Sequence, residues 1–164
     1  MKKLDFKPYK SKDDFRNNYK LHDMAEEFGK NLLTQWGISF KAFGEDRRYQ
    51  PVWEKGEDKP DNIISYKGKD ALLDWKGKRS SKWILNKRAA ESYLRWSNKL
   101  NIPVILAFFI FSEEMTLITS RCLRISKESF STDTVKAWDK NDVVELVKEP
   151  IPFTKPNLLK LLDL

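Results

Sequence analysis

Residues 60–76 read PDNIISYKGKDALLDWK, and this stretch decides the fold. Two apolar runs, residues 62–66 and 71–75, flank a short polar segment that contains Lys67-Gly68, which is the pattern of a β-hairpin. The run from 71 leads into an acid-x-Lys triplet, Asp74-Trp75-Lys76. The hairpin therefore predicts an antiparallel pair of strands that carries charged groups at its far end.

The length of the turn sets which charged groups face each other. A two-residue turn at Lys67-Gly68 pairs residue numbers that sum to 135, which places Asp61 opposite Asp74 with Cβ atoms roughly 5 Å apart. A four-residue loop would instead place Asp61 opposite Lys76. Side chains alternate along a strand, so both registers keep all three groups on one face, and only a one-residue slip separates them.

The rest of the sequence supplies helices and further strands around this hairpin. We expect helices over 22–36 and 82–100, a closing helix from about 154, and strands over 38–43, 104–111, 115–121 and 143–147. This order predicts an α/β fold, a single domain with a mixed central β-sheet flanked by helices. We divide the chain into an N-terminal arm (1–20), a core (21–125) and a C-terminal extension packed on the core (126–164). Residues 44–59 are interpreted as a long loop.

Composition narrows the chemistry. The chain carries 31 Lys and Arg against 24 Asp and Glu, a net charge of +7, which favours a polyanionic partner such as nucleic acid or an anionic membrane surface. A single cysteine, Cys122, and a single histidine, His22, exclude an internal disulfide and Cys/His zinc sites and disfavour Ser-His-Asp catalysis. Residues 1–6 lack the apolar core of a signal peptide, and the longest apolar run, 102–111, is half a membrane helix, so we expect a cytoplasmic protein.

The clustered charges suit a metal-dependent phosphodiesterase. Asp61 and Asp74, placed side by side, repel each other unless a cation lies between them. With one histidine in the chain, that cation is a hard ion such as Mg²⁺, with Mn²⁺ as a substitute. The metal would polarise a phosphate and activate water, and the Lys76 ammonium would stabilise the developing negative charge. The competing interpretation is a solvated hairpin end with a surface ion pair.

The first helix offers a further acid. At about 100° per residue, Glu27 points away from the apolar face, whereas Glu26 lies on its flank and could reach the edge of the sheet. On geometry alone, an ordinary exposed acid is an equal alternative. His22 falls near the same face, where a packed or capping histidine is commoner than a ligand.

A basic segment follows the hairpin. Residues 76–99 hold eight Lys and Arg against one acid, Glu91. We predict that nucleic acid contacts its first half, through Lys78, Arg79, Lys82, Lys87 and Arg88. A solvated helix face is the alternative, and Trp83 and Tyr93 could either stack on bases or pack in the core.

The acidic residues and the lysine described above together match a known sequence signature. An acid on a first helix, an Asp and an acid-x-Lys triplet make up the PD-(D/E)xK nuclease signature, which here reads Glu26, Pro60-Asp61 and Asp74-Trp75-Lys76. More narrowly, residues 25–111 resemble the archaeal Holliday-junction resolvases in motif order and spacing. The shared features are Ala25-Glu26, Leu32-Leu33, Gly37, Lys78-Arg79, Lys87-Arg88 and Ile102-Pro103-Val104. Asp74 stands where the resolvases usually have Glu, the loop over 44–59 is longer, and residues beyond about 126 have no counterpart.

The resemblance implies a restriction-endonuclease-like α-β-β-β-α-β fold for residues 21–125, which would form a nuclease core, and it also implies a function. Glu26, Asp61 and Asp74 would bind the metal, Lys76 would serve the attacking water, and the protein would be a homodimer that cleaves branched DNA in recombination or repair. The apolar run 104–111 could contribute to dimerisation or could simply be the central strand. The alternatives are a restriction or DNA-repair nuclease of the same fold, and a nucleic-acid-binding homologue without catalysis.

Overall fold

The computed structural model describes residues 12–43, 59–136 and 142–164. Three α-helices and nine strands are found in these ranges: α1 (Lys12–Trp36), β1 (Ser39–Ala42), β2 (Asn62–Tyr66), β3 (Lys69–Lys78), β4 (Ile84–Asn86), α2 (Lys87–Leu100), β5 (Val104–Phe111), β6 (Leu117–Arg124), β7 (Phe130–Lys136), β8 (Asp142–Leu146), β9 (Ile151–Pro152) and α3 (Lys155–Leu161). Residues 1–11 of the expected arm and 44–58 of the expected loop lie outside the described residues.

The main sheet has six strands in the order β1-β2-β3-β5-β6-β9. The β3–β5 pair is parallel and is connected through α2, whereas the other four pairs are antiparallel. A parallel pair needs a long crossover, and a helix is its usual form. The predicted fold class, a mixed central sheet flanked by helices, is confirmed.

The two faces of the sheet bury separate clusters. On one face, α1 and α3 cover Leu73, Trp75 and their neighbours on the other strands. On the opposite face, α2 and a small second sheet (β4-β8-β7) cover Leu72, Leu106 and the residues beside them. Strand alternation therefore directs Asp74 and Lys76 toward α2.

Strand β5 is the centre of the sheet. All eight of its residues are buried, and it lies between β3 and β6. The apolar run 104–111 is thus the central strand rather than an exposed surface for dimerisation. No helix within the described ranges is both long and apolar enough to cross a membrane.

Four predicted boundaries were wrong by three residues or more, and one of them is the end of β6, which lies at Arg124 rather than at residue 121. Helix α1 begins at Lys12 rather than at residue 22, within the segment assigned to the N-terminal arm. Helix α2 begins at Lys87 rather than at residue 82, because residues 84–86 pair with β8 instead. Strand β3 continues past residue 75 to Lys78, where it pairs with β5.

Helix α1 approaches β3 closely at Gly29. A Cβ atom built on Gly29 would fall inside contact distance of the Trp75 ring, which is completely buried. In an open helix, Gly→Ala stabilises by about 1 kcal/mol, but an extra carbon in a filled core costs about 1–3 kcal/mol. We expect Gly29→Ala to lower the free energy of unfolding by roughly 1–3 kcal/mol in urea denaturation. Gln35→Ala, at an exposed position of the same helix, is the control, and a more stable Gly29→Ala protein would contradict the close packing.

Candidate active site

The hairpin turn fixes the register at the site. Lys67 and Gly68 form a two-residue turn, with φ angles of 49° and 81°, which matches the twist of the flanking strands. Asn62 pairs with Leu73, so paired numbers sum to 135 and Asp61 comes next opposite Asp74. The Asp61 N–H donates to Asp74 Oδ1 at 3.1 Å. The two-residue register is therefore the one adopted.

Asp74 is a buried carboxylate whose two oxygens are both engaged. Its side chain is 6% exposed. Oδ2 accepts a hydrogen bond from the Tyr93 hydroxyl at 2.8 Å and lies 3.0 Å from Lys76 Nζ, while Oδ1 accepts from Asp61 N–H. Burial raises the pKa of Asp74 to about 6, and the negative charge of Asp61 acts in the same direction against the opposing charge of Lys76.

Asp61 is held differently. Its Oδ2 accepts from the Trp75 backbone N–H at 3.1 Å and lies 3.2 Å from His22 Nε2. A carboxylate can only accept, so this contact requires the proton on Nε2 of the histidine. Burial raises the pKa of Asp61, but the hydrogen bonds from His22 and Trp75 outweigh burial and hold that pKa below its usual value. The same bond raises the pKa of His22.

The three predicted groups come together in one cleft. Asp61, Asp74 and Lys76 line a cavity of about 330 Å³, and its other lining residues are His22, Lys59, Trp75, Gly77 and Tyr93. Because a liquid water occupies about 30 Å³, this volume holds on the order of ten waters or a hydrated cation beside a phosphate. The site also depends on Gly77, because a Cβ there would collide with the backbone carbonyl of Leu21, immediately before His22.

The first helix presents His22, rather than Glu26, to Asp61. Glu26 Oε2 forms an ion pair with Lys30 at 2.6 Å, and Glu26 is not among the residues that line the cleft. Glu26 is nevertheless close to His22, since one possible ligand atom from each of His22, Asp23 and Glu26 lies within 4.8 Å of the others. The assignment of Glu26 as the helix ligand remains a prediction.

His22 is the site residue that sequence reasoning undervalued. Its spacing of four residues from Glu26 places both side chains on one line along the helix, and this spacing is the feature of the sequence that could have indicated a role for His22 in the site. The reach from α1 to Asp61 depends on the close approach of the helix to β3 at Gly77, which the sequence did not reveal.

The donor set suits a hard divalent cation. Asp61 and Asp74 supply carboxylate oxygens in the cleft, which is the ligand chemistry that Mg²⁺ and Mn²⁺ prefer, and Asp23 and Glu26 supply further carboxylates beside His22. Because Nε2 of His22 carries the proton donated to Asp61, only Nδ1 of this histidine could bind a metal, and Mn²⁺ tolerates such a nitrogen ligand better than Mg²⁺. The raised pKa of Asp74 also fits, because an adjacent cation would relieve the cost of a buried negative charge.

The predicted nucleic-acid contacts fall into two groups. Lys78 Nζ donates to the carbonyl oxygens of Lys82 and Ile84, at 3.0 and 3.3 Å, and lies over the Phe108 ring. Burial lowers the pKa of Lys78 to about 8. The exposed members are Arg79, Lys82, Lys87 and Arg88.

Titration of Asp74 should make the stability of the metal-free protein depend on pH. Because its pKa in the folded state, about 6, exceeds the unfolded value of 3.8, its contribution is fully present below pH 3.8 and is lost as pH rises through about 6. A shift of this size corresponds to roughly 3 kcal/mol. The raised pKa of His22 gives a contribution to stability that is likewise lost as pH rises above 6.5. The lowered pKa of Asp61 gives a contribution that is lost as pH falls below 3.8.

Urea unfolding in EDTA tests this linkage. The free energy of unfolding should fall between pH 4.5 and 7.5, and Asp74→Asn should remove most of that fall. Since Asn keeps the size of the side chain, comparison with wild type cancels the titrating groups that do not interact with Asp74, whereas Asp61 and His22 interact with it directly. An unchanged dependence in Asp74→Asn would contradict the assignment.

Comparisons with known proteins add a likeness in fold. No protein family and no curated protein matches this sequence. Among solved structures, the chain is similar to Hjc of Archaeoglobus fulgidus, a Holliday junction resolvase from an archaeal hyperthermophile, with a TM-score of 0.48, 11% identity, and coverage of 84% of this chain and 96% of that one. At this identity the likeness does not bear on chemistry, so the function is inferred from the site residues themselves.

Proposed function

We propose that this chain is a Mg²⁺-dependent endonuclease that hydrolyses phosphodiester bonds in DNA, and that its substrate is branched DNA such as a four-way junction. The observation that carries the chemistry is the convergence of Asp61, Asp74 and Lys76 on one cleft. The choice of branched DNA comes from the motif order that this sequence shares with the archaeal resolvases.

Each group has a role that its surroundings support. Asp61 and Asp74 would hold the metal, with Glu26 as a further ligand from α1 if it exchanges its ion pair with Lys30. When bound, the metal supplies a polarised phosphate and a water of lowered pKa. Lys76 places a positive charge beside Asp74, at 3.0 Å, where it can stabilise the negative charge that develops on the phosphate or orient the attacking water.

The path of the DNA would follow the exposed basic residues. Lys59 lines the cleft, and Arg79 and Lys82 follow directly after β3. Lys87 and Arg88 begin α2 and line a second cleft with Asn86 and Glu91. We assign the phosphate contacts to this exposed set and expect Lys78, whose ammonium bonds backbone carbonyls, to contribute less. Binding should weaken steeply as the salt concentration rises.

A cleavage assay tests the proposal. Labelled linear duplex, single strand and four-way junction are incubated with the protein in Mg²⁺, in Mn²⁺ and in EDTA. We expect paired symmetric nicks in the junction, and this cleavage should require a divalent ion. The two active sites of a homodimer on a junction with two-fold symmetry would each cut one strand. Asp70→Asn, an acid of the same hairpin, serves as the matched control for site variants.

Other results of this assay would favour the alternative functions. Cleavage of linear duplex at defined sequences would replace the resolvase assignment with a restriction or repair nuclease. Salt-dependent binding without any metal-dependent cleavage would leave a nucleic-acid-binding protein and overturn the enzymatic proposal. A monomer that nicks the junction on one strand only would contradict the homodimer.

A further inference from the structure

Tyr93 links helix α2 to the Asp-x-Lys pair. Its side chain is nearly fully buried, and its hydroxyl donates to Asp74 Oδ2 at 2.8 Å. The same hydroxyl oxygen accepts from Lys76 Nζ at 3.4 Å, and the ammonium lies 5.6 Å from the centre of the Tyr93 ring. One phenol thus contacts both charged groups that β3 contributes to the cleft.

Such a contact matters because of the flexibility of lysine. The Lys76 side chain has four rotatable bonds and loses rotamer entropy when it is fixed in one conformation. Asp74 and Tyr93 are fixed points by comparison, since both are buried and belong to packed elements. An ammonium that is held before substrate arrives costs less to place at the phosphate, which is the general advantage of preorganisation.

We infer that Tyr93 is a positioning residue, whose hydroxyl holds the Lys76 ammonium beside Asp74 and so keeps the cation aimed into the cleft. This inference rests on the proposed function for its catalytic consequence, although the positioning itself does not require cleavage. Tyr93 is assigned no contact with DNA or with the metal. The sequence left open whether Tyr93 stacks on bases or packs in the core. Its ring is buried in the core, and its hydroxyl links α2 to the site.

The first test removes the hydroxyl alone. Tyr93→Phe keeps the ring and its packing, so the fold should persist. At saturating metal and DNA we expect a ten- to hundredfold lower single-turnover cleavage rate, with DNA affinity changed by less than twofold. Tyr66→Phe, which removes the hydroxyl of a half-buried tyrosine on β2, should leave the rate unchanged.

A double-mutant comparison separates positioning from a general structural role. If Tyr93 acts through Lys76, Tyr93→Phe should reduce the rate less than threefold in a Lys76→Ala background. A loss that persists in full in that background, or one that accompanies an equal loss of DNA affinity, would overturn the inference.

A second measurement needs no cleavage. In protein with ¹³C-labelled lysine, the ε-methylene signal of Lys76 is identified by its absence in Lys76→Ala. In wild type it should be motionally restricted, and in Tyr93→Phe its order should move toward that of exposed lysines such as Lys69. An unchanged Lys76 signal overturns the inference. If wild type cuts no DNA while the signal loosens as expected, the proposed function fails and the positioning stands.

Discussion

Asp61→Asn and Asp74→Asn are each expected to lower metal-dependent DNA cleavage by roughly a thousandfold or more, without weakening DNA binding. Each change replaces a proposed oxygen ligand of the divalent ion, and the stabilisation that a metal gives to the transition state is worth several kcal/mol. Asn is preferred to Ala because it retains an oxygen to accept from the Trp75 N–H at position 61 and from Tyr93 at position 74.

DNA affinity should not fall with the cleavage rate in these two variants. Each variant removes one negative charge from a surface that must accept a polyanion, so affinity for the junction in EDTA should be unchanged or tighter. Gel-shift titration measures affinity, and single-turnover assays measure cleavage. Asp70→Asn should match wild type in both, because Asp70 lies at the turn end of the hairpin and accepts from Ser65. Cleavage by Asp61→Asn or Asp74→Asn at the wild-type rate would remove these groups from the metal site.

The sequence could predict this site because the relevant contacts are local. The turn at Lys67-Gly68 and the alternation of side chains determine the Asp61–Asp74 pairing within a span of fourteen residues. Five of the six strands of the central sheet were predictable from local patterns of the same kind, whereas the short strand β9 was not predicted. Neither inference needed information from a distant part of the chain.

The errors arose where distant residues decide the structure. Residues 84–86 continue the apolar spacing of a helix, yet they form a strand because β8, about sixty residues further on, supplies the partner. The phosphate contact predicted for Lys78 stays a prediction, but charge patterning could not show that its ammonium donates to the carbonyl oxygens of Lys82 and Ile84. The contact of His22 with Asp61 likewise needs the packing of α1 on β3.

Lys76 should show a different kinetic defect from the carboxylates. We expect Lys76→Ala to lower the single-turnover rate by roughly a hundred- to a thousandfold, the loss seen when one group that stabilises transition-state charge is removed. The metal concentration for half-maximal rate should stay the same or fall, because the ammonium 3.0 Å from Asp74 Oδ2 no longer repels a cation bound to that carboxylate. In Asp61→Asn and Asp74→Asn, by contrast, that concentration should rise.

Conservative replacement and a control variant sharpen the test. Lys76→Arg should not restore the rate, because the planar guanidinium is larger and cannot take the place of a compact ammonium between Asp74 and Tyr93. Lys69→Ala removes an exposed lysine from the same strand and should cleave like wild type. If Lys76→Ala kept the wild-type rate at saturating metal, or lost activity only through a higher metal requirement, the ammonium would not act on the phosphate, and its role would be limited to balancing the charge of Asp74.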